Sequence, residues 1–295
     1  MTTTVADLIL DTQALLTGSQ RQKLNKLSAD PTTGTTFTFT YTPKFRGGSY
    51  LSVDDEIVYV WEVDAPSSTA TVERAQFGTT SVAHDSGSIV EVNPLYPKVR
   101  IRRALQDDVR SWPTNVYQVE SLDLTVGASA RAVDVTGIDD SNFFTILQVL
   151  RSPVVGGDSW TETGYRVERN LNTGEFASGV ALILDHAPGG SGATLRVTYA
   201  KRFDVSTFTD ATTLATIGLE ETMYDIAPYG AAWRLISGRE GNRTRTDAQG
   251  EARAAAEVPP GHILRTAEEY RRLRDVRLEQ EAERLTGRWP WNRWL

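Results

Sequence analysis

The chain contains no cysteine among its 295 residues. Disulfide bonds, thiolate zinc sites and cysteine nucleophiles are therefore excluded together. It also lacks any run of about 18 apolar residues, the length that a membrane-spanning helix needs, so no contact with a membrane is predicted. No basic region precedes the first apolar stretch, so a cleaved secretory signal is not predicted either. Stability is expected to come from packing or assembly.

Basic charge is scarce in the first two thirds of the chain. The formal net charge is −7, and the first 200 residues contain 16 basic and 23 acidic side chains. A protein that reads nucleic-acid sequence usually presents a basic stripe, so that class of function is disfavoured. After Lys201 every basic residue is arginine, the residue better suited to bidentate and stacked contacts at protein interfaces.

Apolar periodicity near 3.6 residues predicts four helices, over residues 4–17, 98–112, 214–238 and 263–286. Thr4 and Asp7 form a capping-box pattern at the start of the first helix. Pro97 and Pro113 bound the second helix. Pro228 predicts a kink in the third.

Alternating apolar and polar residues predict strands in two separate regions. Residues 30–93 contain "TFTFTYT" and "EIVYVWEV", and the second run places Ile57, Tyr59, Trp61 and Val63 on one face. Six or so short strands follow between residues 117 and 203 without crossover helices, which is typical of an antiparallel sandwich or jelly roll.

The predicted fold class is therefore α+β. Two antiparallel β modules, a small β domain and a β sandwich or jelly roll, are inserted into a helical body formed by N-terminal, middle and C-terminal helices. The predicted segments are an N-terminal helix (1–29), a small β domain (30–95), an amphipathic helix (96–113), a sandwich (114–204), and C-terminal helices with an aromatic tail (205–295).

The stretch "ERAQFGTTSVAHDSG", residues 73–87, raises the question of a hydrolase centre, because it contains Ser81, His84 and Asp85. A serine–histidine–acid relay needs three side chains that converge from different elements, and neighbours along one segment point apart. A turn between two strands is the stronger interpretation. We likewise expect His84-Asp85 and Asp185-His186 to lie in surface turns rather than to bind a metal.

Other candidate sites are weak on the same grounds. The acid pairs Asp54/Asp55, Asp107/Asp108 and Asp139/Asp140 could suggest a glycosidase or calcium site, but consecutive acids diverge and no calcium-loop spacing is present. Solvated acidic faces are the expectation. "PGGSG" at 188–192 enters a strand rather than a helix, so it lacks a phosphate-binding helix N-terminus. No catalytic residue, cofactor or metal is predicted.

Two segments near the end of the chain are candidates for partner binding. Residues 239–253 are rich in arginine; they form either a solvated helix or loop, or a surface for a protein partner or for DNA phosphates. The Arg/Trp tail, residues 288–295, holds three of the seven tryptophans. Tryptophan and arginine dominate binding hot spots, so this tail either docks on another subunit or folds back on its own helices.

The segment "VERAQFGTTSVAHDSGSIVEV" resembles one found in tailed-bacteriophage virion proteins: an arginine, a Phe-Gly-Thr turn, small residues, then His-x-x-Gly and a strand. Some of those proteins have Arg-Gly before the turn, where this chain has Arg74-Ala75. The order of modules is also similar to that of head-to-tail connector, or neck, proteins.

The resemblance implies a virion structural protein without enzymatic activity, made in the host cytoplasm and placed in the neck between capsid and tail. It implies a homo-oligomeric, twelvefold ring that binds the portal protein and neck or tail proteins, with non-specific contact to passing DNA. The residues expected at the portal are Arg239, Arg243, Arg245, Arg253, Arg288, Trp289, Trp291, Arg293, Trp294 and Leu295.

Two other classes remain open. A minor tail or baseplate protein would share the virion motif, with its β modules leading the assembly. A carbohydrate-binding or carbohydrate-active β-sandwich protein is the other alternative, with Trp61 and Trp160 as stacking platforms for sugars.

Overall fold

The computed structural model describes residues 3–17, 24–29, 31, 34–127, 129–135, 137–138, 143–152, 159–187, 193–247 and 262–289, without the side chains of 143, 239–247 and 262–263. The contacts divide the chain into two compact units. The first unit comprises Met1–Val109, Phe208–Thr213 and Tyr224–Val276, and the second comprises Arg110–Thr207, Leu214–Met223 and Arg277–Leu295.

The described residues form five helices: α1 (Val5–Thr17), α2 (Lys98–Arg110), α3 (Leu214–Ile217), α4 (Ile226–Asp247) and α5 (His262–Arg288). The capping box is confirmed, since Thr4 N donates to Asp7 Oδ2 at 2.8 Å. The single helix predicted over 214–238 is wrong in its first half. Gly218, at a φ of +90°, ends α3, and Pro228 lies in the first turn of α4, where its missing N–H costs nothing.

A six-stranded antiparallel sheet forms the β part of the first unit. Its order is β1-β6-β3-β4-β5-β2, with β1 Leu24–Lys26, β2 Thr36–Thr38, β3 Tyr50–Val53, β4 Glu56–Asp64, β5 Thr69–Glu73 and β6 Ile89–Val92. The edge strands meet through a bridge between Leu27 and Phe39, and Ser28 N donates to the Thr38 carbonyl at 2.9 Å. The sheet is therefore a curled half-barrel.

The inside of the half-barrel is apolar. Phe37, Leu51, Val58, Val60 and Val90 are among the residues of its core cluster. Tyr59 and Trp61 lie on the outer face, as alternation requires, but Val63 packs against the core. A register shift between Val60 and Glu62 moves Val63 away from the face predicted for it, because one extra residue reverses the alternation.

The second unit contains the predicted antiparallel sandwich. One sheet has the order β10-β9-β13-β7 and the other β11-β12-β8, with β7 Gln118–Val126, β8 Ala132–Asp134, β9 Phe143–Ser152, β10 Thr161–Glu162, β11 Tyr165–Arg169, β12 Val180–Leu184 and β13 Ala193–Lys201. Side chains of both sheets, including Val133, Val149, Leu182 and Leu195, share one core. The α+β class, with N-terminal, middle and C-terminal helices that pack together, is confirmed.

A buried carboxylate joins three helices of the first unit. Asp108 of α2 is fully buried, and Arg274 of α5 donates to it through Nε at 2.8 Å. Arg234 of α4 approaches the same oxygen at 3.4 Å. Gly230 of α4 leaves the space for this carboxylate, because a Cβ there would lie 2.1 Å from Asp108 Cγ. We call these residues the Asp108 junction.

Candidate functional site

The stretch 73–87 is organised around Glu56, the first residue of β4, whose side chain is fully buried. Glu56 accepts hydrogen bonds from Arg74 Nε at 3.0 Å and Nη2 at 2.5 Å. The backbone N–H of Ala75 donates to it at 2.9 Å. His84 Nε2 lies 2.9 Å from Oε2. Glu56, Arg74, His84 and the adjacent Asp54 form what we call the Glu56 cluster.

Both ring nitrogens of His84 are bound to carboxylates, since Nδ1 lies 2.9 Å from Asp54 Oδ2. Burial alone would lower the pKa of His84, but hydrogen bonds to Asp54 and Glu56 outweigh it and raise the pKa to about 9. Burial alone would raise the pKa of Glu56, but hydrogen bonds from His84 and Arg74 lower it to about 2. At neutral pH the imidazolium donates both bonds, so it has no lone pair to act as a base.

His84 therefore does not lie in a surface turn, and that prediction is wrong: only 1% of the residue is exposed. No hydrolase relay forms either, because both partners of the ring are acids, while Ser81 and Asp85 are exposed. His186 is exposed in a loop after β12, as predicted.

Arg74 extends the cluster into the neighbouring loops. Its Nη1 donates to the Pro31 carbonyl at 3.2 Å, and its Nη2 donates to the Val82 carbonyl. The guanidinium lies 5.4 Å from the ring centroid of Phe37, and the Phe37 ring meets His84 edge to face at 5.9 Å. A charged group that reaches so many fixed acceptors holds the loop in one conformation.

The loop backbone itself is constrained. Ala75 and Phe77 have φ values of 58° and 54°, and Gly78 has 73°, all in the left-handed region that non-glycine residues rarely adopt. Glycine adopts such φ values without steric strain, so Ala75 occupies a position that glycine would suit. In this chain the hydrogen bond from Ala75 N–H to Glu56 stabilises the strained residue.

The constrained loop presents Phe77 beside three other aromatic residues on the outer face of the half-barrel. Consecutive ring centroids are 4.9 Å apart from Trp61 to Tyr59, 5.3 Å from Tyr59 to Tyr50, and 5.0 Å from Tyr50 to Phe77. Trp61 is 62% exposed and Phe77 55%. We call these four residues the aromatic patch. Arg100 of α2 lies over the Phe77 ring at 5.2 Å.

Of the acid pairs, Asp54/Asp55 and Asp107/Asp108 are described. Asp54 and Asp107 are exposed and Asp55 is partly exposed, as predicted, although Asp54 binds His84 and Asp55 forms an ion pair with Arg102. Asp108 departs from the prediction, because it is fully buried. Asp139/Asp140 and the "PGGSG" segment at 188–192 fall outside the described residues. Within the described part of the chain no three His, Asp or Glu side chains are placed to hold a metal ion.

Five of the ten residues predicted at the portal contact belong to the described part of the chain, three of them by backbone only. Arg288 is exposed, with its guanidinium 5.9 Å from the Trp289 ring, and Trp289 N donates to the Leu285 carbonyl at 2.8 Å. Arg239, Arg243 and Arg245 belong to α4 by backbone only. Outside the described residues lie Arg253, Trp291, Arg293, Trp294 and Leu295.

The two tryptophans of the carbohydrate alternative differ in environment. Trp61 is exposed, but the guanidinium of Arg196 lies 4.4 Å from the Trp160 ring centroid. Arg196 also forms an ion pair with Asp123 at 2.8 Å. One face of Trp160 is therefore occupied, which weakens the case for Trp160 as a sugar platform.

Sequence reasoning missed Glu56, Arg74 and Phe77 as a functional group. A signal was present, because Glu56 directly precedes the apolar run Ile57–Val60 and Arg74 directly follows a strand. Charged side chains at such positions are buried only when they are paired. The pairing itself needs the fold, since Glu56 and His84 are 28 residues apart.

No protein-family model matches the chain, and no curated protein is similar to it at a significant level. No helix among the described residues is both long enough and apolar enough to cross a membrane.

The Glu56 cluster is expected to make stability depend on pH. The pKa of His84 is raised to about 9 from an ordinary 6.5. Its contribution to the free energy of unfolding is therefore complete below pH 6.5 and is lost as pH rises through 9. The pKa of Glu56 is lowered to about 2 from 4.5, so its contribution to the free energy of unfolding is present above pH 4.5 and is lost as pH falls toward 2. The half-barrel should be most stable between about pH 4.5 and 6.5 and lose about 2–3 kcal/mol by pH 9.

Hydrogen exchange of the β4 and β6 amides at pH 6 and pH 9, corrected for intrinsic rates, measures this loss. In His84→Gln the difference between the two pH values should disappear. An equal pH dependence in both proteins would contradict the assignment to His84.

Proposed function

We propose that this protein is a virion structural protein of a tailed bacteriophage: a ring-forming connector that joins the portal to the tail around the DNA channel. The observation that supports it most is the use of the motif residues. Arg74 and His84, which are central to the resemblance, form buried ion pairs with Glu56. The turn of the motif places Phe77 at the surface. The motif thus serves the construction of a contact surface.

The architecture is consistent with this function. A half-barrel and a sandwich occupy two insertions between helical segments, as the resemblance implies for a neck protein. In the proposed ring the arginines of residues 239–253 and the Arg/Trp tail contact the portal, and the β modules face outward or toward the tail. Acidic side chains that line the channel would keep DNA from sticking to the ring.

A minor tail or baseplate protein is the second candidate. One observation favours it: the aromatic patch, with its exposed Trp61 and Phe77, lies on a β module, and β modules would lead the assembly in such a protein. The oligomeric state separates the candidates, because a trimer that ignores the portal is expected for the second.

Light scattering of the protein with the portal ring of the same virion tests the proposal. We expect a complex of ring size that dissociates when Arg239, Arg243 and Arg245 are replaced together by alanine. Arg166→Ala, in the sandwich and with a side chain 72% exposed, is the control that should bind normally. A stable trimer indifferent to the portal would favour the tail protein, and a monomer that never binds the portal would overturn the proposal.

A further inference from the structure

The aromatic patch has the properties of a preformed binding surface. Trp61, Phe77 and the adjacent Leu95 are each at least half exposed, and large apolar side chains grouped at a surface are typical of interaction sites. Phe77 is held by the loop that Glu56 and Arg74 fix. A surface that is ordered before binding loses little conformational entropy when a partner arrives.

The shape next to the patch suits a single large side chain. A cavity of about 230 Å³ opens there, lined by residues that include Tyr50, Phe77, Pro94, Leu95, Pro97 and Arg100. Pockets for small-molecule ligands are typically about 300–1,000 Å³, so this one is smaller. One aromatic ring inserted from a partner chain, with neighbours that stack on Trp61 and Tyr59, would cover the surface.

The charge of the module favours a basic partner at the Tyr59 end of the patch, whereas Arg100 lies over Phe77 at the other end. Residues 30–93 contain nine acidic and three basic side chains, and three of these acids, Asp54, Asp55 and Glu56, are paired within the protein. Glu73, which is exposed, lies directly opposite Tyr59 on the adjacent strand, so a carboxylate stands beside the rings. A partner segment with both aromatic and basic side chains complements this surface, and arginine also stacks favourably on aromatic faces.

The Arg/Trp tail has this composition, with Trp289, Trp291 and Trp294 interleaved with Arg288 and Arg293. The six residues after Trp289 would span up to about 20–22 Å in extended form, which exceeds the three ring-to-ring steps of about 5 Å across the patch. We propose that, in the free oligomer, the Arg/Trp tail of one copy binds the aromatic patch of a second copy. This inference rests on the self-association in the proposed function and applies before a portal is bound.

Such a contact joins two different surfaces of the same chain, so it is heterologous and can repeat around a ring. The aromatic patch and the portal would also compete for the tail, because a tail bound to the patch of a neighbouring copy must dissociate from that patch before it can contact the portal.

Two single-site variants separate the patch from general surface effects. Trp61→Ala removes an exposed ring of the patch, and Tyr41→Ala removes an equally exposed ring, 62% in both cases, elsewhere on the half-barrel. A labelled synthetic peptide of residues 286–295 is titrated with each full-length protein, with fluorescence anisotropy as the readout and no portal present. We expect Trp61→Ala to weaken binding at least tenfold and Tyr41→Ala to leave it unchanged.

A mixing experiment then tests the heterologous geometry. Trp61→Ala, with an intact tail, and Trp291→Ala/Trp294→Ala, with an intact patch, should each be monomeric by light scattering. Mixed one to one, they can form only one contact and should give a dimer. Peptide binding that Trp61→Ala leaves unchanged, or an absence of peptide binding to the wild type, would overturn the inference. Because neither experiment contains the portal, failure here leaves the portal test untouched.

Discussion

Replacing Glu56 with glutamine is expected to destabilise the half-barrel by about 3–5 kcal/mol, the usual effect of breaking a buried ion pair. The amide keeps the shape of the carboxylate but removes the charge that balances Arg74 and His84, both nearly inaccessible to solvent. Its NH₂ group would also face donors, because Arg74, His84 and the Ala75 N–H all point at Glu56. Hydrogen exchange of β3 to β6 and the urea midpoint of the full chain measure the loss.

Glu62→Gln is the matched control for this change. Glu62 lies on the same strand and is exposed, so its substitution should change stability by less than about 0.5 kcal/mol. Equal stabilities of Glu56→Gln and Glu62→Gln would show that the cluster does not hold the half-barrel together. The loop should respond with the sheet. Protection of the Ala75 and Thr79 amides, which donate to Glu56 and to the Gln76 carbonyl, should fall in Glu56→Gln alone.

Gly230→Ala is expected to cost about 3–5 kcal/mol through the Asp108 junction. The added Cβ would lie 2.1 Å from Asp108 Cγ and 2.2 Å from both of its oxygens, so the carboxylate must leave its place beside Arg274. If Asp108 is displaced, Arg274 loses the hydrogen bond of 2.8 Å that its Nε donates to this carboxylate. Arg274 is only 8% exposed, so water replaces that bond poorly. Thermal unfolding followed by circular dichroism measures the effect on the helices.

The same helix offers a control for glycine substitution. Gly238 of α4 is exposed, and a Cβ there would meet no atom within 4 Å. Gly238→Ala should stabilise the protein by up to about 1 kcal/mol through helix propensity alone. If Gly230→Ala behaved in the same way, the packing assigned to the Asp108 junction would be wrong.

The elements of this fold could be predicted wherever a local pattern determines them. Alternation identified β4 and the sandwich strands, and the capping box at Thr4 marked the start of α1. The bulge in β4 could not be predicted, because a single extra residue leaves no periodic signal, and it displaced Val63. Pro228 indicated a kink, but it lies in the first turn of α4. The start of α4 is defined by Gly218, which ends α3, and by the 3₁₀ turn Glu221–Met223 that precedes α4.

The candidate site depended on contacts that lie far apart in the sequence. Asp108 and Arg274 are 166 residues apart, and neither residue differs in its local sequence from a solvated charge on a helix. His84 also depended on a distant contact. Its sequence neighbours indicated a turn, and only the contact with Glu56, 28 residues away, explains why the imidazole is buried and charged. The exposed Trp61 was identified as a candidate for stacking, because large aromatic side chains are informative without a partner.

The bridge between Leu27 and Phe39 affects how copies of this protein can come together at high local concentration. Its edge strands β1 and β2 are only three residues long and are joined at one end, so the half-barrel offers little unpaired backbone for another strand to extend. Long open edges invite uncontrolled zippering and fibre growth. Any association through this module is therefore expected to use side-chain surfaces, which can be specific and reversible, rather than the addition of strands that leads to amyloid-like aggregation.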